Sequence, residues 1–270
     1  NMTSSITYLN LSHCKLAPEA NASHDVVHEQ DRIERLITSL ETLVMHDTQC
    51  FKDLPIKFAN FQHLSHVDLS NSLHQAKLSP SSAQAITAAC SLKNLQHINL
   101  SNNQSSVNAQ HLAKLAANKE LKYLNLEGCN KIANKALLQH FTVIKNLQYL
   151  NIANTSAEED TILKILSNHA VLQQEGNEKN GGLQYLNILG LQLTGKCFQL
   201  LGNAKKHIPS LRSLSLSVPN FEKSAEHLFS MMLQLFPKLD ELNVIVPAAV
   251  VHVIEKFKQQ CSHVKVNVLL

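Results

Sequence analysis

One short apolar pattern recurs from end to end of the chain, and this recurrence limits the fold more than any other feature. The order apolar-x-x-apolar-x-apolar begins at Ile6 (ITYLNL), Leu40 (LETLVM), Leu64 (LSHVDL), Leu95 (LQHINL) and Leu121 (LKYLNL). It returns at Leu147 (LQYLNI), Leu183 (LQYLNI), Leu211 (LRSLSL) and Leu239 (LDELNV), with a weaker tenth copy, CSHVKV, from Cys261. The eight intervals between Ile6 and Leu239 span 233 residues, a mean period of about 29. Self-similarity at such a period marks a solenoid, in which each unit buries its apolar face only against its neighbours.

Inside each copy the apolar residues alternate. In Tyr123-Leu124-Asn125-Leu126-Glu127 the leucines point one way and the other three residues point the opposite way, as on a half-buried strand. Helical patterns fill the intervals. Residues 81–90 open on a Ser cap candidate and put Ala83, Ile86 and Cys90 on one face. Residues 108–118 open on Asn108 and group Leu112, Leu115 and Ala116, while 224–236 align Leu228, Met231 or Met232, and Leu235. Strands joined by helices run parallel, and parallel sheets are normally covered on both faces, giving continuous apolar runs. Alternation instead leaves one face wet, which neither a doubly wound sheet nor a closed barrel allows. The expectation is an α/β solenoid over residues 1–270, curved into a horseshoe. The parallel sheet lines its concave face and the helices its convex face, in about nine to ten repeats. The two longest intervals, of 34 and 36 residues, imply insertions around 17–36 and 173–182.

The pattern resembles that of the leucine-rich repeat family, whose consensus L-x-x-L-x-L-x-x-N/C-x-L is matched by LKYLNLEGCNKI and ITYLNLSHCKL. With a helix per repeat and this period, it is most similar to the ribonuclease-inhibitor-like or cysteine-containing subtypes. The position held by Cys14, Asn103 and Cys129 departs to Thr48, Ser72 and Thr155, then to Leu191, Pro219 and Pro247. Small polar side chains there can bond to the turn backbone, whereas Leu and Pro cannot, so the last repeats are expected to turn differently.

The wet face carries three columns. The first runs Tyr8, Thr42, His66, His97, Tyr123, Tyr149, Tyr185, Ser213, Glu241. The second runs Asn10, Val44, Asp68, Asn99, Asn125, Asn151, Asn187, Ser215, Asn243, and the third includes His46 and Glu127. Amides stacked at strand spacing can bond to one another as a ladder and then need no partner. A stripe of rings offers rigid amphipathic contact area of the kind enriched at interface centres. The candidate partner-binding residues are His66, His97, Tyr123, Tyr149 and Tyr185, with Asn125, Asn151, Asn187 and Glu127 beside them.

Other chemistries find little footing. A formal charge of +3 from 24 basic and 21 acidic residues gives no nucleic-acid or membrane footprint. No apolar stretch approaches the ~18 residues of a membrane span, and the first ten residues lack the basic and apolar regions of a signal peptide. Six cysteines without a CxxC pair read as buried free thiols in a reducing, cytoplasmic compartment, with Cys14 and Cys129 facing inward. His24 and His28 have ligand-like spacing but no third ligand at a diagnostic distance, so no metal or cofactor is expected. GxSxG, GxGxxG, P-loop and HExxH motifs are absent from the sequence, and no catalytic residue or small-molecule substrate is expected.

The resemblance implies a non-enzymatic module that binds a partner protein through its concave face. Asn-, Lys- and His-rich, Gly-poor usage leans toward an effector that an intracellular bacterium delivers into host cells. The family also includes substrate-recognition subunits of ubiquitin ligase machinery and inhibitors of the ribonuclease-inhibitor type. An inhibitor of a basic enzyme would call for a strongly acidic face, whereas this chain is net basic.

Overall fold

The computed structural model of the protein describes residues 6–14, 38–48, 58, 61–72, 80–104, 106–172, 182–218 and 225–269. The insertions expected around 17–36 and 173–182 lie outside them, apart from Gly182, as do His24 and His28. Twelve strands are present among the described residues: β1 (Tyr8–Asn10), β2 (Thr42–Val44), β3 (His66–Asp68), β4 (His97–Asn99), β5 (Tyr123–Asn125), β6 (Tyr149–Asn151), β7 (Val171–Leu172), β8 (Tyr185–Ile188), β9 (Lys206–His207), β10 (Ser213–Ser217), β11 (Glu241–Ile245) and β12 (Lys265–Leu269). Ten of them form one sheet in chain order, β1-β2-β3-β4-β5-β6-β8-β10-β11-β12. Every neighbouring pair in it is parallel. The remaining two, β7 and β9, pair antiparallel by themselves.

Seven α-helices occupy the returns among the described residues: α1 (Pro80–Cys90), α2 (Ala109–Ala116), α3 (Asn134–Phe141), α4 (Glu159–His169), α5 (Lys196–Asn203), α6 (Ala225–Leu235) and α7 (Val251–Gln260). Asn108 caps α2 as its sequence suggests: its side chain accepts from the Gln110 and His111 N–H groups, and the His111 ring accepts the Asn108 N–H. Consecutive helices pack on one another along one face of the sheet. Packed helices need 8–10 Å each, whereas strands need ~4.8 Å, so the stack arcs with the sheet on its inner side.

The repeated leucines form the core. Leu43, Val67, Ile98, Leu124, Leu150, Leu186, Leu214 and Leu242 stand opposite one another strand by strand and are fully buried. The tenth copy is displaced from its expected register. β12 pairs Leu242 with Val266 and Val244 with Val268, so the copy starts at His263, two residues after Cys261. Val264, Val266 and Val268 share one parity, so alternation alone cannot detect a slip of two.

A further repeated position lies at the turn after each strand. His13, Asp47, Asn71, Asn102, Gly128, Asn154 and Gly190, all seven residues beyond their repeat's first position, adopt φ between 48° and 74°. The first six donate their N–H groups to carbonyls of the next repeat at 2.7–3.0 Å, which carries the sheet's bonding around the bend. Asn, Asp, His and Gly are the residues that tolerate this left-handed region best. The adjacent polar side chains bind the turn as expected. Thr155 Oγ1 donates to the Ile152 carbonyl at 2.7 Å, Cys129 Sγ to Leu100 at 3.2 Å, and Asn103 Nδ2 to Leu69 and Leu100 at 2.8 and 3.0 Å. Leu191 keeps the turn because Gly190 precedes it. β10 and β11 are five residues long and pair as far as Ser217 and Ile245. After β11 the chain turns differently, Pro247 leading into a short 3-10 helix, Ala248–Val250, while Pro219 lies outside the described residues. Cys14 departs from its expected inward position. It lies just beyond β1, the first strand of the sheet, and is exposed, whereas Cys90, Cys129, Cys197 and Cys261 are buried.

The candidate concave-face site

Period-two alternation brings the first column onto the open side of the sheet, and register places its members opposite one another. The five rings then pack into a single stack. His66 and His97 lie 5.5 Å apart at 26°, His97 and Tyr123 3.6 Å at 8°, Tyr123 and Tyr149 3.9 Å at 12°, and Tyr149 and Tyr185 4.2 Å at 2°. From His97 to Tyr185 the centroids are closer than the ~4.8 Å between strands, so side chains converge on this face, as a sheet bent toward it requires. Inner rings spend both faces on each other and offer edges and hydroxyls to the solvent.

Burial keeps His97 and the three phenols neutral. It lowers the His97 pKa to about 4, helped by repulsion from His66 and opposed by Asp68. Burial likewise raises all three phenols, Tyr185 to about 12, so the hydroxyls remain donors at neutral pH. The phenols of Tyr123, Tyr149 and Tyr185 influence one another along the row, and Tyr185 also interacts with Ser215 in the second column.

The second column has mainly a local role. The carbonyl oxygens of Asn125, Asn151 and Asn187 accept the N–H groups of Glu127, Ala153 and Leu189 at 3.0–3.1 Å, and all three side chains are buried. Asn10 and Asn99 do the same for Ser12 and Ser101. These Asn-turns hold each strand end for the bend that follows. The amide-to-amide ladder expected along this column forms, among the described residues, between Asn267 and Asn243 at 2.7 Å. Elsewhere the amides find other acceptors, Asn99 on Asp68 at 3.1 Å and Asn151 on Glu127 at 2.9 Å. Glu127 is thereby held half-buried above the rings.

His46, Ser70 and Asp68 meet in a chain that sequence reading did not single out. Asp68 is an acceptor, so the Ser70 hydroxyl donates to it at 2.5 Å, and His46 Nδ1 approaches Ser70 Oγ at 2.8 Å. The order is His–Ser–Asp, with the serine proton directed at the carboxylate and the imidazole on the other side. Burial raises the thiols of Cys90 and Cys129 to about 12, far from thiolate chemistry.

The small residues in the ring column also carry information that the sequence reading passed over. Ser213 follows Tyr185 in register and Glu241 follows Ser213, so the stack stops at one empty rung beside a carboxylate.

Among the described residues no helix is long and apolar enough to cross a membrane. No protein-family model and no curated protein matches the chain. Solved structures do. One is a chain in the crystal structure of the Rad7 and Elc1 complex of yeast, 16% identical at a TM-score of 0.41, over 82% of this chain and 68% of that one. Another is a Bacteroides fragilis protein, 12% identical at a TM-score of 0.43, over 92% of this chain and 72% of that one. Neither likeness bears on what this chain binds.

Proposed function

We propose that the protein is a non-enzymatic binding module whose concave sheet face receives a partner protein, centred on His66, His97, Tyr123, Tyr149 and Tyr185. The observation that carries this reading is the ring stack itself. Five side chains with few rotatable bonds are already ordered on the open face, so a partner meets them at little further entropic cost. Their edges and hydroxyls present an apolar body with polar tips, the composition of an interface centre. Asn125, Asn151 and Asn187 support the strand ends beneath, and Glu127 adds a charge at the border.

Capture from a native or host-cell lysate tests this, with the wild type and a Tyr123→Ala/Tyr149→Ala/Tyr185→Ala variant whose fold is checked by circular dichroism. A partner lost with the rings supports the reading, and a partner retained unchanged by the folded variant overturns it. The identity of the captured protein separates the finer readings: a host protein for a bacterial effector, ligase components for a ubiquitin-linked receptor, an enzyme for an inhibitor. The Asn-rich composition is a weak guide among these, since Asn side chains serve the fold at strand ends, at turns and at the carbonyls of preceding repeats. Asn118, for example, donates to Leu95 at 2.8 Å and Asn146 to Lys119 at 2.7 Å.

A further inference from the structure

The ring stack ends at β10 for a simple reason: Ser213 has no ring to add. Its hydroxyl reaches only as far as Glu241 Oε2, at 3.3 Å. Among the described residues no ring lies against the face of Tyr185 turned away from Tyr149. Tyr185 and Glu241 are two rungs apart, about 9–10 Å at ordinary strand spacing. Ring-to-ring spacing in the adjoining stack is 3.6–4.2 Å, so the missing rung is one planar group thick.

Both walls of this slot favour the same charge. One is the face of a tyrosine, which is electron-rich and attracts cations. The other is the half-buried carboxylate of Glu241, which accepts Asn267 Nδ2 at 3.0 Å and Lys265 Nζ at 3.4 Å on Oε1. Oε2 has only the long bond from Ser213 and keeps capacity for a strong donor. The Lys265 pairing is with a side chain 72% exposed, so it offers little resistance to displacement. Thickness then selects among cations. A guanidinium is flat, stacks on an aromatic face and donates in its own plane to a carboxylate, whereas an ammonium is compact, strongly hydrated and not planar.

We propose that the open rung over Ser213 is a subsite for an arginine side chain of the bound protein, stacked flat on the Tyr185 ring with an N–H edge turned to the Glu241 carboxylate. The proposal rests on the concave face being a binding surface, and it names what the partner must present there: an exposed arginine that completes the stack as its next flat member.

The test titrates the full chain with N-acetyl-arginine amide, N-acetyl-lysine amide and the neutral isostere N-acetyl-citrulline amide, following backbone amide resonances. Arginine is expected to move the signals of Tyr185, Ser213 and Glu241 with millimolar affinity, and the other two to bind about tenfold more weakly. Ser213→Tyr fills the rung with the protein's own ring and abolishes the arginine response while the thermal midpoint is kept. Glu241→Gln leaves the stack intact and weakens arginine about tenfold. An equal response to citrulline, or an arginine response that survives in Ser213→Tyr, overturns the subsite. The two readings fail separately. A captured partner lost with the triple alanine variant but unaffected by Ser213→Tyr overturns the arginine subsite and leaves concave-face binding standing. A partner unaffected by both overturns both.

Discussion

The side-chain oxygen of Asn154 occupies the space that a β-carbon on Gly190 would need, one repeat further along the turn ladder. Gly190 also holds φ at 74°, so a side chain there meets both a clash and a strained backbone. Gly190→Ala is expected to lower stability by about 1–3 kcal/mol in urea unfolding. Adding Asn154→Gly should recover the part due to the clash and leave the part due to φ. Full recovery in the double variant would show that backbone strain contributes nothing.

Glu159, in the first turn of α4, caps the next helix. Its Oε1 accepts the Cys197 N–H at 3.2 Å, and its Oε2 accepts the Thr194 hydroxyl at 2.5 Å. Burial pushes this carboxyl upward, but the bonds from Thr194 and Cys197 outweigh it and the pKa falls below 4.5. A lowered carboxyl contributes stability above the ordinary carboxylate range and loses it as pH drops through the folded value. Glu159→Gln should therefore cost about 1 kcal/mol at pH 7 and little at pH 3. A cost that does not change with pH would assign it to lost packing.

His97 works in the opposite sense. Its folded pKa, about 4, lies below 6.5, so the unfolded chain takes up the proton first. Any penalty is absent above pH 6.5, grows as pH falls toward 4 and levels off below. His97→Phe keeps a ring in the row and removes the proton. The wild type should lose about 1–2 kcal/mol more than this variant between pH 7 and 4, allowing for the partly open site. Parallel urea midpoints for the two proteins across that range would refute it.

Asn103 is fully buried, donates to the Leu69 and Leu100 carbonyls and accepts the Ser72 N–H at 3.1 Å. Asn103→Ala strands several backbone groups at once and should cost about 2–4 kcal/mol. Asn103→Cys, the residue that the equivalent position carries as Cys129, should restore the bond to Leu69, since Cys129 donates to the Leu100 carbonyl, the counterpart of Leu69 one repeat on. Thermal unfolding of the two variants ranks them.

Where the structure follows the sequence and where it departs have physical causes. Leu124, Leu150 and Leu186 announced their faces because period two admits one buried side, and the same parity put Tyr123, Tyr149 and Tyr185 on the other. The left-handed turn position escaped notice because His13, Asp47, Asn71 and Gly128 share a backbone conformation and not a side chain. The β7–β9 pair, two residues a side, is too short to show any alternation. Strand spacing alone allows each ring to stack on its neighbour, but how closely and how nearly parallel could not be read. Column membership fixes which side a ring occupies, while its tilt follows from curvature that no single repeat encodes.

Three of the four tyrosines lie in that stack and the chain has no tryptophan. Near-ultraviolet absorption by the native protein therefore comes mostly from stacked phenols, whose electronic coupling depends on ångström-scale spacing. The horseshoe carries its own optical strain gauge: any partner that flattens or tightens the sheet will change the light it absorbs, without a label.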